Sequence, residues 1–370
     1  MTQPVLPPFL PGLELSRRFY REAVRPLLAE RCPGLAHSAG LIGFGSDVIG
    51  CDTPMSRDHM WGPRLVLLLA EADFAEKRAA VDSALRRGLP HTFLGYPVDF
   101  GRPDGSGVRI MAAGQSGEVE HLVEISTIPA YFDRELGAGR WQSPGPADWL
   151  TFSEQRLLSL TSGGVWRDDL GLAQIRARLA YYPHQVWLYL LACQWSQIGQ
   201  EEPFVGRTGQ NGDEIGSRLI AARLAGSAMR LAFLLERRYA PYSKWFGTHF
   251  QRLAIAPQLG PHLAAALCAG DWQERQAGLC AAYELLAEQH NALGLTEPVE
   301  TQCSLFHGRP FQVIHADEIA ARLQAAIQDE TMRGWGLWGS VNQFSPSTDL
   351  LEDAAGLGRL RGFYGKGEYN

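Results

Sequence analysis

A short glycine-rich stretch in the first third of the chain combines residue types that bind phosphate and metal ions. It reads GFGSDVIGCDTPMSRDHMWGPR and spans residues 43–64. Gly45 and Ser46 predict a tight turn in which the backbone can approach a phosphate closely and the serine hydroxyl adds a donor. Asp47 and Asp58 carry carboxylates of the kind that hold Mg²⁺ against such a phosphate. Because the same residue types are common in ordinary hairpin turns, the pattern alone also permits a purely structural turn.

Hydrophobic periodicity predicts the elements that position this stretch. The first part of the chain predicts a helix over 13–31, a strand that runs through AGLIGFGS into a turn, a central strand over 64–70 and a helix over 73–87. Two further strands are expected, at 108–112 and at 118–126, and the second places Glu120 and Glu124 on one face.

After about residue 150 the pattern becomes helical and strand signals nearly vanish. The helices predicted there are 153–160, 172–180, 183–200, 213–239, 261–269, 271–293 and 317–328, with a strand over 312–315. The chain is therefore expected to be an α+β protein with a mixed sheet and helices first, followed by an all-α domain. We expect domains over 1–150 and 151–300, and a C-terminal extension over 301–370 that packs on the rest.

Three strings carry a family resemblance: GFGSDVIG…SRDHMWGPR, EEPFVGRTGQNGDEIGSR and ERRYAPYSKWFG. Together they resemble a DUF4037-type family of nucleotidyltransferase-like proteins. Residues 40–130 also resemble the nucleotidyltransferase superfamily that includes DNA polymerase β and the aminoglycoside nucleotidyltransferases. The resemblance implies a Mg²⁺-dependent enzyme that moves a nucleoside monophosphate from a nucleoside triphosphate, with ATP expected, to a hydroxyl or similar group of an unidentified acceptor and releases pyrophosphate.

The superfamily's mark is a glycine-serine pair followed by Asp-x-Asp at the start of a strand. In this chain the resemblance implies that Gly45 and Ser46 contact the triphosphate and that Asp58, Asp47 and Glu124 hold the metal, with Glu120 as the second choice for the later carboxylate. Met60 stands where the second Asp of the motif belongs, and its thioether is a poor Mg²⁺ ligand. Asp47 or Asp52 could supply the missing oxygen if the loop folds back.

The helical half offers further candidates in a polar stretch with three glycines, expected as a loop between two apolar helices. Either Glu201 or Glu202 could deprotonate an acceptor hydroxyl, which the resemblance to the aminoglycoside enzymes implies, or both could lie at a solvated helix end. Asp213 is expected to be the N-cap of the next helix. The candidate triphosphate ligands are Arg207, Arg218 and Lys244. We expect residues 201–218 to form one wall of a cleft between the two halves.

Charge and composition narrow the classes of protein to which the chain could belong. The 370 residues include 34 basic and 40 acidic side chains spread along the chain, which argues against a protein whose main task is coating nucleic acid, although local basic stretches leave a nucleic-acid contact open. The apolar runs are shorter than the roughly 20 residues that span a bilayer, so no membrane is expected. Six scattered cysteines without a metal-binding spacing predict reduced thiols in a cytoplasmic protein. The alternative functions are a catalytically degenerate nucleotide-binding regulator and a helical interaction protein.

Overall fold

The computed structural model describes residues 7–105, 107–112 and 116–364. The chain divides into two compact units. Unit 1 comprises residues 1–143 and 156–180, and unit 2 comprises residues 144–155 and 181–370. A four-stranded sheet and many helices make this an α+β fold, as the sequence predicts.

The strands are β1 His37–Leu41, β2 Arg64–Leu69, β3 Thr92–Phe93, β4 Tyr96–Pro97, β5 Leu122–Thr127, β6 Gly164–Asp168, β7 Ser304–Leu305 and β8 Gln312–Val313. The helices up to residue 180 are α1 Gly12–Phe19, α2 Arg25–Arg31, α3 Glu71–Gly88, α4 Ile128–Leu136, α5 Pro146–Thr151, α6 Glu154–Thr161 and α7 Leu172–Arg178. The later helices are α8 His184–Glu201, α9 Phe204–Gln210, α10 Glu214–Leu235, α11 Ser243–Phe250, α12 Ala256–Cys268, α13 Trp272–Ala292, α14 Ala316–Ala326, α15 Glu330–Arg333, α16 Val341–Phe344, α17 Thr348–Glu352 and α18 Ala354–Arg359. A π-helical turn joins α1 to α2 over Tyr20–Val24, and 3₁₀ turns lie at Pro54–Asp58, Phe306–Gly308 and Leu360–Tyr364.

Unit 1 is built on a mixed sheet with the strand order β5-β2-β1-β6. The central strand β2 pairs antiparallel with β1 and parallel with β5. Every residue of β2 is buried, and after Arg64 its sequence LVLLL is apolar on both faces. On one face Leu65 and Leu67 pack with Leu15 and Phe19 of α1 in the main core of this unit.

Two sequence predictions for the sheet are wrong. The strand predicted over 108–112 does not form, and the described residues there make only an isolated bridge between Phe100 and Met111. Strand β6 was not predicted, although it completes the sheet by pairing antiparallel with β1. Its sequence GVWRD is partly exposed throughout and lacks the alternation that marks a half-buried strand.

Unit 2 is mostly helical. Its helix α8 has buried residues on all sides between Val186 and Ile198. A two-stranded ribbon of β7 and β8 also belongs to this unit, and β8 confirms the strand predicted over 312–315. Asp213 is the N-cap of α10 as predicted, since its side chain accepts a hydrogen bond from the backbone N–H of Gly216 at 2.8 Å. Within the described residues no helix is both long and apolar enough to cross a membrane.

Candidate functional site

The predicted glycine-serine turn follows β1 in unit 1 and covers residues 43–47. Gly43 and Gly45 both adopt positive φ angles, +80° and +128°, which non-glycine residues rarely adopt. Gly43 also lies against the Tyr131 hydroxyl, which donates a hydrogen bond to the carbonyl of Ile42 at 3.1 Å. The two glycines are therefore required by the shape of the turn.

The turn presents donors that the protein does not use. Among the described residues, the backbone N–H groups of Phe44, Gly45 and Ser46 and the Ser46 hydroxyl have no hydrogen-bond partner. Gly45 and Ser46 are partly exposed, so these donors can be reached from outside. Successive free N–H groups in a turn form a concave site for an anion.

Asp47 closes the turn as part of a buried ion pair. Its Oδ1 accepts a hydrogen bond from Arg64 Nη2 at 2.7 Å, and the same Nη2 donates to the carbonyl of Phe44 at 2.8 Å. Asp47 is 1% exposed, and burial raises the pKa of its carboxyl despite the attraction of the arginine. Its second oxygen, Oδ2, is buried and has no hydrogen-bond partner among the described residues. It lies towards the start of α1, where a Cβ on Gly12 would come within 2.6 Å. Asp47 thus braces the turn from inside.

Glu124 lies on β5, on the same face of the sheet as Arg64. It pairs in register with Val66, two residues beyond Arg64, and the parallel register keeps these side chains on one face. Its carboxylate forms an ion pair with Arg134 of α4 and is 40% exposed. Glu120, the second choice, lies outside β5 and forms an ion pair with Arg86 at 2.8 Å.

Asp58 does not stand at the start of a strand, contrary to the prediction. It ends the 3₁₀ turn Pro54–Asp58, is 62% exposed and pairs with His59 Nδ1 at 2.9 Å. Met60 has a φ of +45°, so the backbone changes direction here and the expected shared strand face of Asp58 and Met60 does not exist. Asp52 is also occupied, since its Oδ2 accepts hydrogen bonds from the Gly12 N–H at 2.7 Å and from Trp61 Nε1 at 3.0 Å.

Within the described residues, the three predicted magnesium ligands do not form one cluster. Asp47 is buried against Arg64, Glu124 is paired with Arg134, and Asp58 lies on an exposed turn. In the part of the chain that the structure describes, no three His, Cys, Asp or Glu side chains are grouped closely enough to hold a metal ion. At nucleotide sites Mg²⁺ is commonly held by one or two carboxylates together with substrate phosphates, so the magnesium ion stays a prediction from the sequence.

The candidates of the helical half lie in unit 2, and each has a local partner. Glu201 forms an ion pair with Arg223 at 2.7 Å, and the Lys244 ammonium lies 5.1 Å from the centre of the Trp245 ring. Arg207 donates to Gln210 Oε1 at 3.4 Å, and Arg218 donates to the carbonyl of Gly270 at 3.2 Å. The triphosphate role of Arg207, Arg218 and Lys244 therefore stays a prediction from the sequence.

Glu202 holds the backbone before α14 in place. Its two oxygens accept hydrogen bonds from the backbone N–H groups of Ile314 at 2.7 Å and Ala316 at 3.0 Å, next to the start of α14. Burial raises the pKa of this carboxyl to about 7. The segment after it is the short helix α9 rather than the predicted loop.

Sequence reasoning missed Arg64, which shapes the turn more directly than any predicted residue. The sequence signal that could have pointed to Arg64 is a charged residue at the start of an otherwise apolar central strand. A buried guanidinium requires a carboxylate partner, and Asp47 is the acidic residue of the neighbouring turn.

Comparison with known proteins gives one family match. Residues 149–246 match the family described as "Domain of unknown function (DUF4037)". This confirms the DUF4037 resemblance seen in the sequence, and the DUF4037 segment contains α8, α9 and α10. No curated protein matches the chain. Among solved structures, a nucleotidyltransferase-like protein from Exiguobacterium sibiricum 255-15 is 12% identical and aligns over 85% of this chain and 89% of that chain, with a TM-score of 0.32.

Proposed function

We propose that unit 1 binds the phosphate groups of a nucleoside triphosphate at the turn of residues 43–47. The observation that carries this proposal is the row of free N–H groups at Phe44, Gly45 and Ser46, extended by the free Ser46 hydroxyl. The nucleoside part rests on the sequence resemblance to nucleotidyltransferases. Nucleotide binding of the degenerate type is the function supported best, because the free donors of the turn suffice for it without a cluster of metal ligands.

A complete transfer reaction is the second candidate, and the position of Glu124 favours it. This carboxylate is partly exposed on the sheet face that also carries Arg64. In that reaction the acceptor hydroxyl oxygen attacks the α-phosphorus, the bond to the bridging oxygen breaks, pyrophosphate leaves, and a base takes the hydroxyl proton. Magnesium, the acceptor and the predicted interdomain cleft stay predictions from the sequence.

Calorimetric titration with ATP, in EDTA and in Mg²⁺, tests the binding proposal. Wild-type protein should bind ATP, and Ser46→Ala should bind it more weakly because one donor is lost. Gly45→Ala should lose binding, since a Cβ there would collide with Arg64 and Asp47. Gly105→Ala is the matched control, because no atom lies within 4 Å of the added Cβ. A wild-type protein that binds no ATP in either buffer would exclude the proposal.

Pyrophosphate release separates the two candidate functions. A transferase should release pyrophosphate from Mg²⁺–ATP when an acceptor is supplied as a cell extract, and Glu124→Gln should abolish that release. A protein that binds ATP but releases no pyrophosphate with any extract is a nucleotide-binding protein only. Glu14→Gln, at an exposed ion pair with Arg17, makes the same charge change as Glu124→Gln and is a matched control that should change neither result.

A further inference from the structure

A cavity of about 150 Å³ lies within unit 2, far along the chain from the glycine-serine turn. Its wall combines the guanidinium of Arg230 beside the Glu154 carboxylate, the polar residues Ser243 and Thr348, and the apolar side chains of Phe246 and Leu351. A protein cavity of this volume can hold a molecule of about the size of benzene. The wall therefore suits a small ligand with one polar end.

The polar end of the cavity is held in place by a buried ion pair. Arg230 Nη1 donates a hydrogen bond to Glu154 Oε2 at 3.0 Å, and the Tyr182 hydroxyl donates to Oε1 at 3.0 Å. Glu154 is 5% exposed, and both of its oxygens have partners. Glu154 therefore fixes the orientation of the guanidinium and has little capacity left to bind a ligand.

The opposite edge of the Arg230 guanidinium is free. Within the described part of the chain, Nε and Nη2 of Arg230 have no hydrogen-bond partner, and the group lies 5.5 Å from the centre of the Phe246 ring. Two parallel N–H donors on one edge match the two oxygens of a carboxylate. The first backbone N–H groups of α11, at Ser243 and Lys244, are also free and add a favourable potential for an anion.

The charge of the site favours a monoanion with an apolar body. Glu154 already neutralises Arg230, so each charge of a bound anion is left without a full counter-charge, and a dianion such as phosphate is disfavoured more strongly than a monoanion. An apolar body, in contrast, gains by displacing water from Phe246 and Leu351.

We propose that this cavity binds a small monocarboxylate, with its carboxylate on the free edge of Arg230 and its apolar part against Phe246 and Leu351. The ligand is distinct from the nucleotide proposed for unit 1, so failure of one proposal does not affect the other.

Calorimetric titration of the full chain with benzoate tests this site. Benzamide, a neutral molecule of the same shape, should bind at least about tenfold more weakly because it lacks the charge that the guanidinium recognises. Arg230→Lys keeps a cation beside Glu154 but removes the two parallel N–H donors of the guanidinium. Benzoate affinity should therefore fall by about tenfold or more. Leu351→Trp leaves the ion pair intact and fills the cavity, so it should abolish binding. Thermal unfolding of both variants checks that they remain folded.

Three results would overturn the proposal. The first is the absence of benzoate binding at millimolar concentration. The second is benzoate binding that neither Arg230→Lys nor Leu351→Trp weakens in folded protein. The third is binding of inorganic phosphate as tight as that of benzoate, which would indicate a general anion site without an apolar subsite.

Discussion

Buried ionisable side chains determine the local chemistry in both units. Asp47 has Arg64 as its partner in unit 1, and Glu154 has Arg230 in unit 2. Burial raises the pKa of both carboxyls, so in each pair desolvation outweighs the attraction of the arginine. Removing one member of such a pair leaves an uncompensated charge in a poorly solvated place, which destabilises a protein more than an apolar replacement of both members.

Glu202 should make the stability of unit 2 depend on pH. Burial raises its pKa in the folded state to about 7, above the ordinary value of 4.5. The folded state therefore holds the proton more tightly, and this contribution to stability is complete below pH 4.5 and is lost as the pH rises through 7. Glu202→Gln should remove about 3 kcal/mol of this pH dependence, because one pKa unit corresponds to about 1.4 kcal/mol.

The measurement is the free energy of urea unfolding on both sides of this pH range. Glu201→Gln is the matched control, since Glu201 pairs with Arg223 near the surface and should leave the pH dependence unchanged. An identical pH dependence in wild type and Glu202→Gln would show that Glu202 is not the titrating group.

Among the elements, α9 shows how glycines serve packing instead of loop flexibility. A Cβ on Gly206 would lie 2.5 Å from the Phe311 ring, and a Cβ on Gly209 would come too close to Trp272. The glycines let α9 approach α13 and the segment at β8, so a glycine-rich stretch forms a helix.

Gly209→Ala should therefore destabilise unit 2, although alanine is the better helix former by about 1 kcal/mol. Gly226→Ala in α10 is the matched comparison, because no atom lies within 4 Å of its added Cβ, and it should stabilise the protein by about 0.5–1 kcal/mol. Thermal unfolding of the two variants measures both effects. If both substitutions raised the melting temperature, close packing of α9 would not be the reason for Gly209.

For the molecule as a whole, the chain returns to unit 1 after entering unit 2. Residues 156–180 belong to unit 1 and include β6, which covers the edge of β1. A fragment of residues 1–163 lacks β6, exposes that edge and should aggregate. A fragment of residues 1–180 keeps β6 and should stay monomeric. Sedimentation of the two fragments measures the difference, and a monomeric, folded 1–163 fragment would contradict a structural need for β6.

The sequence by itself determined most helices, strands β1 and β2, and the glycine-serine turn. These features depend on hydrophobic periodicity, capping residues and glycine, all of which act over a few neighbouring residues. The DUF4037 resemblance was also contained in local strings, and the family match confirms it.

The tertiary structure alone decided the roles of the charged residues. Asp58 and Glu124 belong to one predicted ligand set, yet the fold places one on an exposed 3₁₀ turn and the other on β5 beside Arg134. Strand β6 joins a sheet whose other strands lie before residue 130, a pairing that no local pattern encodes. The partner of a buried charge and the neighbour of an edge strand come from distant parts of the chain, and only folding brings them together.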